Sequence, residues 1–542
     1  MMSNTLSKQP WPWCLSQTPV LLLALLGASG AQAFNIDSGV SDLELRWDNT
    51  LRYSNAWRLK KIDDETAASS DNPNIDDGDR NFGRGLISNR LDLLSEFDMR
   101  YRRDYGLRLS AAAWYDSVYH EDNDNDGRTF VNSRSVDNDE FTSETKKLHG
   151  RKAEFLDAFG YGRFALGNTS LNLKAGQFAQ IYGESLFFGT NGIAAAQLSP
   201  DVIKASSVPG SQVKEIMMPS KQLSALWQLS PDLTIGAYYQ LEWRKARLPA
   251  AGSYFSFADF VDEGGESLLT PFGLMLRGKD QEARDSGQGG LQLKYKLGDY
   301  DLGMYAAVFH DRFPQFYVRP DVGDYQLVYG EDIKTFGASV STLIGETNVA
   351  AEVSVRKDMP LVARGNTVIL PAGSTADNGD HAAYPVGDTL HANLSAITVF
   401  AASPLWQGAS LTSELAFNRR LSVTRNAAVL DPNATRDASA LRVQFQPEYF
   451  QVLPQVDVQV PINIGYGLAG RSSVNGAGFP AEHGGDFGIG LKADYQKTWY
   501  TSLNYTHFFG SAGGVVNSAA ELSYDQVYRD RDFISFSIQR SF

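Results

Sequence analysis

The chain has 542 residues, a formal net charge of −14, one cysteine and a mean hydropathy of −0.28. The acidity argues against a nucleic-acid partner, and one cysteine excludes a disulfide framework or a thiolate metal site. The length would suit several soluble domains, yet no linker or change of composition divides the chain, so one large architecture fits better.

Residues 1–33 have the form of an export signal: Lys8 before an apolar run at Val20–Leu26, then Ala31-Gln32-Ala33 as a cleavage site. The run is too short to span a bilayer. Cys14 precedes the run, so it is no lipoprotein cysteine, and cleavage removes it. The mature region, 34–542, contains no stretch apolar enough for a transmembrane helix.

That region reads instead as strands. Leu43, Leu45, Trp47, Leu51 and Tyr53 share one face of a period-two pattern, and Leu91, Leu93, Phe97, Met99 and Tyr101 share another. The pattern recurs at Leu233, Ile235, Ala237, Tyr239, Leu241 and Trp243, at Thr347–Val355, and at Phe487–Tyr495. Opposite faces carry Arg, Asp, Gln, Ser, Gly and Thr. Short turns fall near 103–104, 167–168, 231–232, 298–299, 345–346, 403–408, 453–455 and 496–497. They alternate strictly with long connections near 54–86, 117–150, 179–221, 245–286, 311–331, 357–388, 423–440, 466–484 and 510–530. Eight turns and nine long loops predict an all-β, transmembrane antiparallel barrel of about 18 strands, with short periplasmic turns, long outer loops and both termini periplasmic. Tyr101, Tyr105, Tyr295, Tyr300, Trp406, Tyr495 and Trp499 flank the short turns, as an interfacial girdle would; ordinary β propensity is the plainer alternative.

The second loop holds Asp122, Asp124 and Asp126 before Gly127, the opening spacing of a calcium loop. Ser133 stands where an EF-hand has its glutamate, so a solvated acidic loop is favoured over a metal site. The third loop differs: Phe187, Phe188, Ile193, Ala194–Ala196, Val202, Ile203 and Ile216–Met218 would make a sticky patch if exposed. It is expected to fold into the barrel over 179–221 rather than to lie as a lid. Phe187, Phe188 and Ile193 would narrow the lumen, and Glu184 and Asn191 would orient a solute, with Tyr182 and Gln197 at either end of the constriction.

Gly183-Glu184-Ser185-Leu186-Phe187-Phe188, Asn191-Gly192-Ile193, Asp201-Val202, Lys204, Pro209-Gly210, Val213-Lys214-Glu215 and Pro219 resemble a hallmark segment of a family of large Gram-negative envelope proteins, domain of unknown function 1302. Leu86–Leu93, Tyr239–Trp243 and Gly252–Ser256 continue the resemblance, which covers the whole mature chain. Tyr182 departs from it, where a tryptophan would precede Gly-Glu-Ser. The resemblance implies an outer-membrane protein and leaves function unsettled; such proteins tend to accompany export or degradation systems for hydrophobic compounds.

The seven histidines show no metal-ligand spacing, and Gly183-Glu184-Ser185 lacks the G-x-S-x-G of a nucleophile elbow. No cofactor is implied. The chain ends F-I-S-F-S-I-Q-R-S-F, alternating to a terminal Phe542, which resembles the signal read by the barrel-assembly machinery. These features lead to a channel passing small apolar or aromatic organic solutes by diffusion. Inward-face Arg100, Arg108, Arg356 and Arg442 would favour anionic ones. The alternatives are a non-conducting accessory of an export system for hydrophobic compounds, or a barrel-embedded hydrolase. The expected partners are outer-membrane lipid and lipopolysaccharide, the assembly machinery, a small organic solute and an envelope export partner.

Overall fold

Each period-two stretch forms a strand whose apolar side chains face out and whose small or polar ones face in. The computed structural model describes residues 34–63, 66, 72–208, 211 and 213–542. The export signal expected at 1–33, with Lys8 and Cys14, and Pro209-Gly210 of the family-like segment lie outside the described residues.

The wall runs β1 (Leu43–Arg58), β2 (Gly85–Tyr101), β3 (Tyr105–Asp116), β4 (Arg151–Leu166), β5 (Thr169–Phe178) and β6 (Ser220–Gln228). It continues through β7 (Leu233–Gln240), β8 (Gln288–Leu297), β9 (Tyr300–Phe309), β10 (Ile333–Ile344), β11 (Thr347–Pro360) and β12 (Val386–Phe400). β13 (Gly408–Arg425), β14 (Asp437–Leu453), β15 (Val456–Gln459 with Ile462–Ala469), β16 (Gly485–Tyr495), β17 (Trp499–Phe509) and β18 (Phe533–Ser541) complete it. The sheet has 20 strands among the described residues. One is a short lead, Phe34–Ile36, that pairs only with β1, and β15 is broken in two at Pro461, which cannot donate to the ladder. The wall therefore has eighteen. Every neighbouring pair is antiparallel, and β1 pairs with β18 from Thr50↔Ser541 to Arg58↔Phe533, which closes the barrel.

Outer and inner faces differ sharply. Leu291, Met304, Phe336, Leu394 and Leu415 are exposed on the outside, while Ser535, Ser537, Glu352 and Glu414 are buried within. This is the polarity of a wall between lipid and water. No helix of the described residues is long and apolar enough to cross a membrane. All eight short turns stand where the pattern puts them, and Tyr101, Tyr105, Tyr295, Tyr300 and Tyr495 are exposed beside them.

The long loops at the other end are numbered L1 (59–84), L2 (117–150), L3 (179–219), L4 (241–287), L5 (310–332), L6 (361–385), L7 (426–436), L8 (470–484) and L9 (510–532). L4, L5 and L6 build a second, five-stranded sheet: Ser267–Thr270, Gly273–Arg277, Asp324–Val328, Gln315–Arg319 and Thr367–Ile369. It carries its own core of Leu268, Phe316, Val318, Tyr325, Leu327 and Tyr329. Trp243, expected on the outer face of β7, belongs here: the strand stops at Gln240. The Trp243 indole packs against Tyr329 at 4.9 Å and donates to the Asp311 carbonyl at 3.1 Å.

Candidate functional site: the lumen and the loop inside it

L3 leaves the wall after β5 and runs along its inner surface. Tyr182 meets Tyr238 of β7 edge-on at 5.3 Å and Tyr305 of β9 at 6.2 Å. Two inward carboxylates then hold the loop. Glu352 of β11 accepts the main-chain N–H groups of Glu184 at 2.6 Å and Ile193 at 2.9 Å. Glu414 of β13 accepts those of Leu186 at 3.1 Å, Phe187, and Phe188 at 2.9 Å, and is itself held by Asn393 Nδ2 at 2.6 Å. Gly183 has φ +96°, and a Cβ there or on Gly192 would strike the Glu352 carboxylate. The glycines let backbone and carboxylate close up.

Arg356 of β11 donates to the Asn191 and Gly192 carbonyls at 2.8 and 2.7 Å, and Asn191 Nδ2 bonds Asn393 Oδ1 at 2.9 Å. On the far side of the turn, Arg312 of L5 donates to the carbonyls of Leu198 at 2.6 Å and Ala196 at 3.4 Å. Burial pushes the Arg312 guanidinium down to about 10. The returning arm docks on β1, where Glu215 pairs with Arg52 at 3.2 Å, and on L4, where Asp201 pairs with Arg247 at 2.7 Å. L3 thus spans the barrel and is tied at both sides.

The residues expected to contact a solute separate into two groups. Tyr182, Phe188, Asn191, Ile193 and Gln197 are buried against the wall, where they anchor the loop. Phe188 is clamped by Phe479 of L8 at 5.6 Å, and Gln197 bonds the Tyr238 hydroxyl at 3.0 Å. Glu184 and Phe187 are half-buried, and Leu186 between them, named in the family-like segment but not among the expected solute contacts, is 41% exposed. The backbone bends at 183–184 and again at 186–187, which turns three successive N–H groups to the Glu414 carboxylate. Glu352 and Glu414 were absent from the sequence reading. Glu352 had a legible signal, since its cross-strand neighbours Ser339 and Asn393 are neutral and leave its charge to seek a partner elsewhere.

The four arginines expected to give the lumen a basic field are committed. Arg108 is ringed by Glu96, Asp98 and Asp157; Arg442 pairs with Asp486 at 2.6 Å, and Arg100 with Glu44 at 3.5 Å. Arg356 serves the loop. For the other three, the inward face that carries the arginine also carries the acids that neutralise it.

Between the L3 helix Val202–Ser206 and the wall of β14–β18 remains a cavity of about 550 Å³. Gln444, Gln459, Asn463, Asn504 and Gln539 line it, and Lys492 reaches it with no ion pair among the described residues. Phe533 and Val208 border both this cavity and an aromatic cluster of Phe82, Tyr119, Tyr254 and Phe255 on its loop side. Beside the cluster, Asp79 joins Arg58 at 2.9 Å and Arg531 at 3.0 Å, all three buried. A separate apolar cleft of about 1090 Å³ opens among the outer loops, lined by Phe257, Phe260, Phe272, Leu269, Ile369 and Val516.

Asp122, Asp124 and Asp126 do not converge. Asp124 accepts the Gly83 N–H at 2.7 Å, and Asp126 pairs with Arg128 at 2.6 Å.

Among solved structures, the chain is similar to Acinetobacter baumannii OccAB1 (11% identity, TM-score 0.41, covering 95% of this chain and 98% of that one). It is similar also to Pseudomonas aeruginosa OpdK with vanillate (11%, 0.41, 92% and 98%) and to A. baumannii DcaP, an outer membrane channel (9%, 0.37, 94% and 99%). No curated protein matches the sequence. The model of the protein family of unknown function DUF1302 matches residues 15–542, and with nearly its whole length so matched the chain belongs to that family.

Proposed function

We propose that the protein is a substrate-selective channel of the Gram-negative outer membrane, passing small apolar or aromatic organic solutes by diffusion past L3. The observation that carries this reading is the partly filled lumen: L3 is fixed inside the wall by Glu352 and Glu414 and leaves beside it a cavity of about 550 Å³ with Gln and Asn side chains in its lining. An eighteen-stranded wall has room for a pathway, and a weak site along it permits passage without an energy source. Leu186, Phe187 and Glu184 would meet the solute, and the apolar outer cleft would gather it from water. The wall would be inserted among lipopolysaccharide by the assembly machinery, with Phe542 as its terminal signal.

A second reading, a non-conducting accessory that docks an export partner, is favoured by the aromatic cluster between cavity and outer loops. Planar-bilayer recordings separate the two. Deleting 183–197, or combining Glu352→Ala with Glu414→Ala, should raise single-channel conductance above that of the intact protein. Correctly assembled variants that stay silent, like the parent, would replace the channel by the accessory reading.

A further inference from the structure

We propose that Asp76, Asp77 and Asp259 form a binding site for one divalent cation, calcium by the chemistry of the donors, which fastens three outer loops together. Asp76 and Asp77 belong to L1 and Asp259 to L4. One carboxylate oxygen from each lies within 4.8 Å of one from each of the others, and all three side chains are at least nine-tenths buried. Two ligands on opposite sides of a calcium ion, each at about 2.4 Å, stand about 4.8 Å apart, so the spacing fits a shared ion.

Among the described residues, protein compensates only part of the charge. Arg80 Nε meets Asp76 Oδ2 at 2.5 Å, and among the described residues no basic side chain forms an ion pair with Asp77 or Asp259. Three carboxylates against one guanidinium leave a formal −2 in a site from which water is largely excluded, and buried charge of that kind requires a counter-charge or protons. Neutral donors satisfy only part of the set. Asp76 Oδ2 also accepts the Thr129 hydroxyl at 3.1 Å, Asp77 Oδ1 the Asn125 amide at 3.3 Å, and Asp259 Oδ2 the Asp76 N–H at 2.8 Å.

A second observation points to a ligand. Asp76 Oδ1 and Asp259 Oδ1 are buried with no hydrogen-bond partner, and so is Oδ1 of Asn132 in L2. Asn132 is fully buried, and its Nδ2 donates at 2.9 Å to Asn74 Oδ1, on the residue whose carbonyl accepts the Asp259 N–H at 2.8 Å. Each such lone pair left unpaired is costly, and each is a hard oxygen donor. An all-oxygen set without histidine or cysteine selects calcium or magnesium over zinc or copper. Calcium suits it better, because magnesium holds its waters and demands a strict octahedron. The acidic run of L2 is not this site; L2 enters through Asn125 and Asn132.

The competing occupant is protons, with the cluster held as neutral acids. Mature protein, purified in detergent without lipopolysaccharide and stripped with EDTA, is titrated with calcium chloride and with magnesium chloride by calorimetry. Limited proteolysis of the outer loops is followed in parallel. One calcium per chain should bind, more tightly than magnesium, and slow loop cleavage several-fold. Asp259→Asn should weaken binding at least tenfold, while joint Asp122→Asn, Asp124→Asn and Asp126→Asn should leave it unchanged. No saturable uptake by the parent protein overturns the site. So does uptake lost only in the triple variant, or an ion-free Asp259→Asn as protease-resistant as the calcium-loaded parent. Should Asp259→Asn fail to fold, the parent with and without calcium decides.

Discussion

Glu414 shows how one side chain can position a loop. Its carboxylate serves three consecutive main-chain N–H groups of L3 and is wholly buried. Glu414→Ala would strand those donors at about 1–3 kcal/mol each, so L3 should detach. The expected signs are protease cleavage within 183–197 and a noisier, larger conductance; an L3 as resistant as the parent's would discount the staple. His149 in L2 makes a pH prediction. Its Nε2 accepts the Ala250 N–H at 3.1 Å, and its ring lies 4.8 Å from Tyr119. Burial first, then the nearby Arg90 and Arg247, push its pKa down to about 3. The folded pKa is below the unfolded one, so between about 6.5 and 3 the unfolded segment takes up a proton that the folded one refuses. The contribution is complete above about pH 6.5 and falls by roughly 1.4 kcal/mol per unit below it. The L2–L4 contact should loosen from pH 7 to 5, read by the fluorescence of Trp114, whose indole donates to the Leu148 carbonyl. His149→Gln keeps an acceptor and should flatten the profile; an unchanged slope would assign the effect elsewhere.

At the scale of elements, L1 and L9 are joined by ions as well as by an apolar contact, in which Ile75 and the L9 residues Val515 and Val516 share one cluster. Burial would raise the Asp79 acid, but Arg531 and Arg58 hold it below the usual range, and Asp530 completes the group with Arg58 at 2.6 Å. Arg531→Met leaves buried acid without its full counter-charge, a loss of about 3–5 kcal/mol. Hydrogen exchange should then speed up in L1 and L9 while the wall ladders stay protected. Uniform protection across the loops would show the network to be dispensable. The position of Asp79 and Arg531, 452 residues apart in sequence, depends on barrel closure, so no local pattern announces the pair.

For the whole molecule, selectivity follows from which charges remain free. Arg100, Arg108 and Arg442 have acidic partners and Arg356 holds L3, so neutralising Arg108 or Arg442 should hardly move the reversal potential in a salt gradient. Lys492 forms no ion pair among the described residues, so its charge acts on the cavity together with those of Glu448, Asp457 and Asp494, which line it too. Lys492→Gln should shift selectivity toward cations, and more so at low salt, where screening reaches farther. A larger shift from Arg442→Gln than from Lys492→Gln would reverse this assignment of the lumen field.

The barrel was legible in the sequence because lipid on one side and water on the other impose a period of two on every wall strand, and because short and long connections alternate strictly. Strand number, turn positions and the outward girdle follow from those local rules. The sequence also marked L3 as a loop too apolar to lie exposed; L4 is as rich in apolar residues and finds its cover in the outer cap. Tertiary structure alone decided which L3 residues face the wall. Phe188 and Asn191 turn to Phe479 of L8 and Asn393 of the wall, and the Ile193 N–H turns to Glu352, partners 159 to more than 200 residues away. The same holds for the second sheet of the outer loops and for the meeting of Asp76 and Asp77 with Asp259. Loop contacts have no period, and closure of the barrel brings their partners together from distant parts of the chain.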